Sequence, residues 1–238
     1  MNATELIEKQ GLIHNLITRI AEDNNLSNPD LKPVYDGVYN VNAYVNSNPR
    51  IMWILKEPYD DFDNNGAYGG GWELYSALDN NDAWTNRTWQ PMTYVTYGIH
   101  NRIHWQDMNW IRDDPSMIDC LKKVVLLNLS KIPNRTTSDD GYVQEQYNLY
   151  WKTIVLQQIE DYNPDVIIFG NTFYMMRDDL DIQNSKIERV ENASKPFMNI
   201  IDCEKKLLID AYHPNQKTIT RELYVNSIID AVLTRFEK

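Results

Sequence analysis

The chain has 238 residues, of which 42% are hydrophobic, so it is long and apolar enough for one globular domain with a sizeable core. Its 34 acidic and 23 basic residues give a net charge of −11, which argues against general duplex binding through basic residues that replace phosphate counterions. Two cysteines without a CxxC motif argue against a metal or iron–sulfur framework, and we expect neither a metal nor a cofactor.

The first half of the chain is predicted to be mostly helical around one strand. Apolar residues at helical spacing predict an amphipathic helix over residues 6–20, followed by a polar segment over 22–50 that crosses the surface. A buried strand is predicted at 51–55, with a long loop at 57–71 beyond its carboxyl end. Further helical segments are predicted at 72–79, in pieces within 90–111, and at 115–121.

The second half alternates strands with helices. In chain order the predicted elements are a strand at 123–127, a helix at 142–162 capped by Asp139 or Asp140, a strand at 165–169, a helix at 173–180, a hairpin or irregular loop at 182–196, a strand at 206–211 and a helix at 219–236. Four apolar strands separated by helices predict one α/β domain over 1–238, a three-layer α/β/α fold with a central four-stranded parallel sheet. Residues 1–50 would be its N-terminal helix and extended surface segment, and 51–238 its core.

Membrane insertion and secretion are not expected. The apolar residues between Leu6 and Ile20 alternate with charged ones, which is not the pattern of a secretion signal. No apolar run approaches the roughly 20 residues that cross a bilayer. We therefore expect a cytoplasmic protein without a membrane partner.

Polar residues stand at the ends of three predicted strands: Glu57 after the first, Asn128 after the second and His213 after the fourth. In a parallel sheet, ligands bind beyond the carboxyl ends of the strands, so these side chains are predicted to share one edge. A carboxylate can orient or deprotonate water, an amide can pair with a pyrimidine edge, and an imidazole can stabilise a developing anion.

Each of the three residues also has a purely structural interpretation, and spacing alone does not decide between the two. Glu57 can pair with Lys56 or with a loop amide. Asn128 can bond to the turn near Ser130, as asparagines commonly do, and His213 can be a structural histidine that bonds to the backbone.

Aromatic residues crowd the loop after the first strand. Tyr59, Tyr68 and Trp72 suit a stacking wall for a planar ligand, whereas Tyr75 is assigned to the core. The glycines at 69–71 lack the Gly-Lys-Ser/Thr sequence of a P-loop, and neither GxGxxG nor GxSxG occurs.

In this order, the motifs resemble those of the uracil-DNA glycosylase superfamily. The family's G-Q-D-P-Y-H motif is similar to Leu-Lys-Glu-Pro-Tyr-Asp at residues 55–60, and its L-L-N strand end matches residues 126–128. Its H-P-S-P-L-S motif is similar to His-Pro-Asn-Gln-Lys-Thr at 213–218, and its third strand to residues 164–170. The resemblance covers the chain from residue 51 onward in element order and about a dozen residues in identity.

The resemblance implies hydrolysis of the N-glycosidic bond of uracil or a related base, flipped out of single-stranded or locally opened DNA. It implies that Glu57 orients the attacking water, that Asn128 binds the base edge, and that His213 stabilises the departing base. Tyr59 would wall the pocket near the pyrimidine C5 position, and Trp72 would be the stacking ring.

Three residues depart from the family's motifs, and other functions stay open. Lys56 replaces a Gln, Asp60 a His, and Lys217 the Leu that wedges into duplex DNA, although Lys56 and Lys217 remain candidate substrate-binding residues. One alternative is a non-catalytic protein of the same fold that binds a nucleobase, a nucleotide or another protein. Another is an unrelated doubly wound protein, which a strand order other than 2-1-3-4 would favour.

Overall fold

A computed structural model describes residues 2–60, 69–134 and 138–236. Their helices are α1 (Ala3–Asp23), α2 (Val41–Val45), α3 (Trp89–Asn101), α4 (Asp140–Gln146), α5 (Lys152–Tyr162), α6 (Phe173–Met176) and α7 (Arg221–Phe236). Their strands are β1 (Ile51–Leu55), β2 (Val125–Asn128), β3 (Val166–Gly170), β4 (Lys186–Asn192), β5 (Lys195–Cys203) and β6 (Lys206–Ala211). Short 3-10 helices lie at Leu74–Asp79, Ala83–Thr85, Trp105–Asp107, Pro115–Lys123 and Arg177–Asp179, and a π-helical turn at Tyr147–Trp151 joins α4 to α5.

The four predicted strands are present as β1, β2, β3 and β6, and they are mutually parallel in the order β2-β1-β3-β6. Each is buried on both faces, because alternate residues of β1 such as Trp53 and Ile54 belong to separate hydrophobic cores. Double-sided burial produces continuous apolar runs, which is why these strands could be predicted. Helices α3 and α7 pack together, as do α1 and α5.

The prediction of a four-stranded sheet is wrong, because the described residues form a sheet of six strands. The hairpin, one of the two alternatives predicted for 182–196, is present as β4–β5; it continues to Cys203 and extends the sheet beyond β6. Most residues of β4 are exposed, so the strand has no apolar periodicity to reveal it. Its two-residue turn has positive φ at Ala193 and Ser194 (49° and 63°), which Asn-Gly or Asp-Gly usually supplies, so the turn signal was missing too.

The segment before β1 was expected to cross the surface, but part of it is buried instead. Val34, Val38 and Tyr44 are at most 1% exposed. Gly37 exchanges two backbone hydrogen bonds with Leu126 of β2, at 3.0 and 2.9 Å. The segment thereby covers the edge of β2, whose backbone groups would otherwise lack partners.

The predicted helices are present, but some are 3-10 helices and one is interrupted. Residues 72–79 and 115–121 were expected to be helical and are 3-10 helices, and the predicted helix over 142–162 is interrupted by the π-helical turn. Asp139 is its N-cap, since its carboxylate accepts hydrogen bonds from the N–H groups of Gly141 and Tyr142. Across the described ranges, none of the helices has the length and apolar character needed to cross a bilayer.

Candidate functional site

A cavity of about 760 Å³ opens at the carboxyl ends of the parallel strands. Glu57, Asn128 and His213 all line it, although they lie far apart in the sequence. Lys56, Tyr59 and Trp72 line it as well. The cavity therefore brings together a carboxylate, an amide and an imidazole, as the strand ends predicted.

The sheet register and one glycine place these groups side by side. Leu55 at the end of β1 is the direct neighbour of Asn128 at the end of β2. Gly170 ends β3, between β1 and β6, and a Cβ there would lie 2.5 Å from Leu55 Cδ2 and 3.0 Å from Pro214 Cδ. The missing side chain lets the turn that carries His213 approach the end of β1, a role that the motifs did not indicate.

Glu57 is half-buried in the cavity wall. Its carboxylate accepts a hydrogen bond from the Ser138 hydroxyl at 3.0 Å. Burial raises the pKa of Glu57 and outweighs the lowering by that hydrogen bond and by the charge of Lys56. A carboxylate with a raised pKa is a better proton acceptor than an exposed one, as a general base requires.

Lys56 pairs with a different carboxylate. Its ammonium forms an ion pair with Asp140, the first residue of α4. The Tyr174 hydroxyl donates a hydrogen bond to the other oxygen of Asp140 at 2.5 Å. Lys56 is thus paired with Asp140 and not with Glu57, and no sequence pattern indicated Asp140 or Tyr174 as partners.

Hydrogen bonds to its backbone groups hold Asn128 in place. It is 2% exposed; its N–H donates to Asp36 Oδ2 at 2.8 Å, and its carbonyl accepts from Lys131 Nζ at 2.7 Å. The Ser130 hydroxyl, expected as a turn partner, donates to the carbonyl of Ile132 instead. Within the described ranges the hydrogen bonds of Asn128 use only backbone atoms, which leaves its amide side chain for a ligand in the cavity.

A buried ionic network under the end of β2 holds this backbone. Lys131 Nζ lies 2.6 Å from Asp36 Oδ2 and 3.0 Å from Gln158 Oε1, while Gln158 Nε2 donates to Asp36 Oδ1 at 2.8 Å. Burial lowers the pKa of Lys131, and the charge of Asp36 opposes that change. No sequence pattern distinguishes these residues from surface ones, so the network could not be predicted from the sequence.

His213 is a neutral imidazole. Its Nδ1 accepts a hydrogen bond from the Asn215 N–H at 3.2 Å, which places the ring proton on Nε2. Burial, and to a lesser extent the charge of Lys56, lower its pKa to about 4. The hydrogen bond to the backbone accounts for Nδ1, as the structural interpretation expected. Within residues 2–60, 69–134 and 138–236, Nε2 has no hydrogen-bond partner, so its N–H can donate to a ligand.

The tautomer of His213 leads to a prediction for nuclear magnetic resonance. We expect the nitrogen shifts of this ring to show a proton on Nε2, and to stay constant as the pH falls from 8 to 5, because the neutral form persists down to a pKa of about 4. An exposed histidine titrates near pH 6.5. A midpoint near 6.5 for His213, or a proton on Nδ1, would contradict the described geometry.

The remaining predicted residues differ in their position relative to the cavity. Trp72 lines it, and its indole N–H donates to Asp60 Oδ2 at 2.8 Å. Tyr59 lies at the rim and is 57% exposed. Lys217, predicted to bind substrate, is exposed and outside the cavity lining, because the turn after His213 carries it away. Tyr68 lies outside the described residues, and Tyr75 is buried as predicted.

Within the described part of the chain, no group of three or more His, Cys, Asp or Glu side chains is arranged to hold a metal ion. No protein-family model matches the chain, and no curated protein sequence matches it either.

Proposed function

We propose that the protein hydrolyses the N-glycosidic bond of uracil or a related base in nucleic acid, in the manner of a uracil-DNA glycosylase. The observation that carries this proposal is the shared cavity of Glu57, Asn128 and His213. The order of the four parallel strands, β2-β1-β3-β6, supports it, since it is the 2-1-3-4 order that the resemblance implies.

Each group has a defined part in the proposed reaction. The base leaves its stack and enters the cavity, where the Asn128 amide donates to and accepts from its edge. Glu57, as a carboxylate, takes a proton from a water molecule whose oxygen bonds to C1′ of the sugar. The bond between C1′ and the base nitrogen breaks, and its electron pair leaves with the base. The Nε2–H of His213 donates a hydrogen bond to the resulting anion.

Single-stranded or locally opened DNA is the proposed partner. The net charge of −11 disfavours long contacts with duplex phosphates. The ammonium of Lys56, at the cavity, is already paired with Asp140. In DNA that is already single-stranded, the base enters the cavity without the free-energy cost of breaking its base pair.

The proposed function can be tested by an assay of base release. Incubation with a single-stranded oligonucleotide that contains one uracil should produce an abasic site, detected by alkaline cleavage. Asn128→Ala should lower kcat/KM by a factor on the order of ten to a hundred, since paired hydrogen bonds to a base edge contribute about 1–3 kcal/mol. Asn42→Ala, at an exposed position of α2, is the matched control and should leave the rate unchanged.

Absence of abasic product from every base tested, at high protein concentration, would reject the hydrolase proposal. The second candidate is then a non-catalytic protein that binds a nucleobase or nucleotide. The pairing of Lys56 with Asp140, at a position where the family has a neutral Gln, favours this candidate. Calorimetry with free bases and nucleotides would show binding that Asn128→Ala weakens.

A further inference from the structure

Two side chains of opposite charge, Lys56 and Glu57, follow each other directly after β1, and both line the cavity. Backbone hydrogen bonds fix the chain on either side of Glu57. The Lys56 carbonyl accepts from the Ser130 N–H at 2.9 Å. The Pro58 carbonyl accepts from the Asn134 N–H at 3.0 Å. Because the backbone is fixed, the ammonium and the carboxylate can meet or separate only by a change of side-chain conformation.

The segment that leads into α4 holds these two side chains apart. The Ser138 hydroxyl donates to the Glu57 carboxylate at 3.0 Å. Two residues later, Asp140 forms the ion pair with Lys56. The second oxygen of Asp140 accepts from the Tyr174 hydroxyl at 2.5 Å, which fixes the direction of the carboxylate. One short segment therefore binds both charged side chains, each through a different residue.

The charge of Lys56 acts on Glu57, the proposed base. After burial and the Ser138 hydrogen bond, the next influences on the pKa of Glu57 are two charges: Lys56 lowers this pKa and Asp140 raises it. The other titratable groups that act on Glu57 or share its cavity are acidic or neutral: Tyr59, Asp82, Asp139, Tyr142 and His213. Among the described residues, Lys56 is thus the one cation in the cavity lining.

We propose that Asp140 is a positioning residue that holds the Lys56 ammonium away from Glu57, so that the Glu57 carboxylate stays free to take a proton from water. This inference rests on the proposed function and adds a residue to it. An ammonium paired with Glu57 would stabilise the charged carboxylate and make it a weaker base. Helix capping does not require Asp140, because Asp139 supplies the capping carboxylate of α4.

Asp140→Asn is the test variant, because an amide still accepts from the Tyr174 hydroxyl but no longer attracts the ammonium. We expect Lys56 to turn to Glu57, and base release at high pH to slow by about tenfold. The rise of the rate with pH should move to lower pH, since a cation beside a carboxyl lowers its pKa. Single-turnover rates on the uracil-containing oligonucleotide, measured across the pH range, give both quantities.

A double variant tests whether Asp140 acts through Lys56. Lys56→Gln combined with Asp140→Asn removes the cation as well, and it should restore the rate at high pH to within about threefold of the wild type. A purely structural role of Asp140 does not predict this rescue, because the second substitution cannot rebuild the lost contact. Glu145→Gln is the matched control, since it removes a negative charge from an exposed position on the same helix, and it should change neither the rate nor the pH profile.

The outcomes separate this inference from the proposed function. A wild-type rate and pH profile for Asp140→Asn overturns the inference, as does a double variant no faster than Asp140→Asn, and the hydrolase proposal stands in both cases. If the wild-type protein releases no base, the hydrolase is rejected, and carboxyl titration of Glu57 by nuclear magnetic resonance decides. A lower pKa of Glu57 in Asp140→Asn than in the wild type supports the inference, and an unchanged pKa overturns it. Where Asp140→Asn fails to fold, Tyr174→Phe is judged by the same criteria, because it loosens Asp140 without removing a charge.

Discussion

Glu57→Gln is expected to slow base release by a factor of about a hundred to ten thousand. The glutamine keeps the size of the side chain and still accepts the hydrogen bond from Ser138, but it cannot take the proton of the attacking water. The measurement is the single-turnover rate on an oligonucleotide that the wild-type protein cleaves. Glu145→Gln, at an exposed position on α4, is the matched control and should retain the wild-type rate.

The pH dependence provides a second signature of Glu57. Burial raises the pKa of this carboxyl, and the proposed reaction requires its deprotonated form, so the rate should rise with pH through that raised pKa and then level off. His213 stays neutral in this range because its pKa is about 4, so it adds no change of its own. Glu57→Gln should remove the rise. A variant as fast as the wild type, with the same pH profile, would exclude Glu57 as the base.

Lys131→Met is expected to lower the free energy of unfolding by about 3–5 kcal/mol, because it leaves the buried carboxylate of Asp36 without its cation. The Lys131 side chain is 0% exposed and that of Asp36 is 1% exposed, so water cannot replace the lost partner. Urea denaturation measures the effect as a lower midpoint at an unchanged slope. Lys9→Met is the matched control, since the ion pair of Lys9 with Asp161 is partly exposed and its loss should shift the urea midpoint far less.

A double variant separates lost charge pairing from lost packing. Asp36→Asn combined with Lys131→Met removes both charges and keeps an oxygen that can accept from the Asn128 N–H. We expect it to be more stable than Lys131→Met alone, because no unpaired charge remains buried. Equal stabilities for Lys131→Met and the wild type would mean that Asp36 and Lys131 do not form a charged pair.

The apolar strands and the site residues at their ends were predictable for one reason. A parallel strand buried on both faces leaves a continuous apolar run, and the polar residue after such a run lies at the carboxyl edge of the sheet. Glu57, Asn128 and His213 could therefore be placed at one edge before any coordinates were known. Lys217 stands in the same motif as His213, but local turn geometry directs it elsewhere, and spacing carries no information about that direction.

The elements that were missed have weak local signals. Strand β4 is exposed and its turn lacks glycine, so periodicity and turn chemistry left a hairpin and an irregular loop both open at 182–196 and did not show that this segment joins the sheet. The buried part of the segment before β1 is surrounded by prolines and asparagines that suggest a surface loop. Its burial depends on the edge of β2, a partner nearly ninety positions later in the chain.

By itself, the sequence determined the α/β class, the parallel strands and the edge at which a carboxylate, an amide and an imidazole meet, since periodicity and strand ends are local properties. Only the tertiary structure decided the partners of those groups: Ser138 for Glu57, Asp140 for Lys56 and the pair of Asp36 with Lys131 under Asn128. It also decided the size of the cavity and the neutral state of His213. Those properties depend on burial and on contacts between segments distant in the chain.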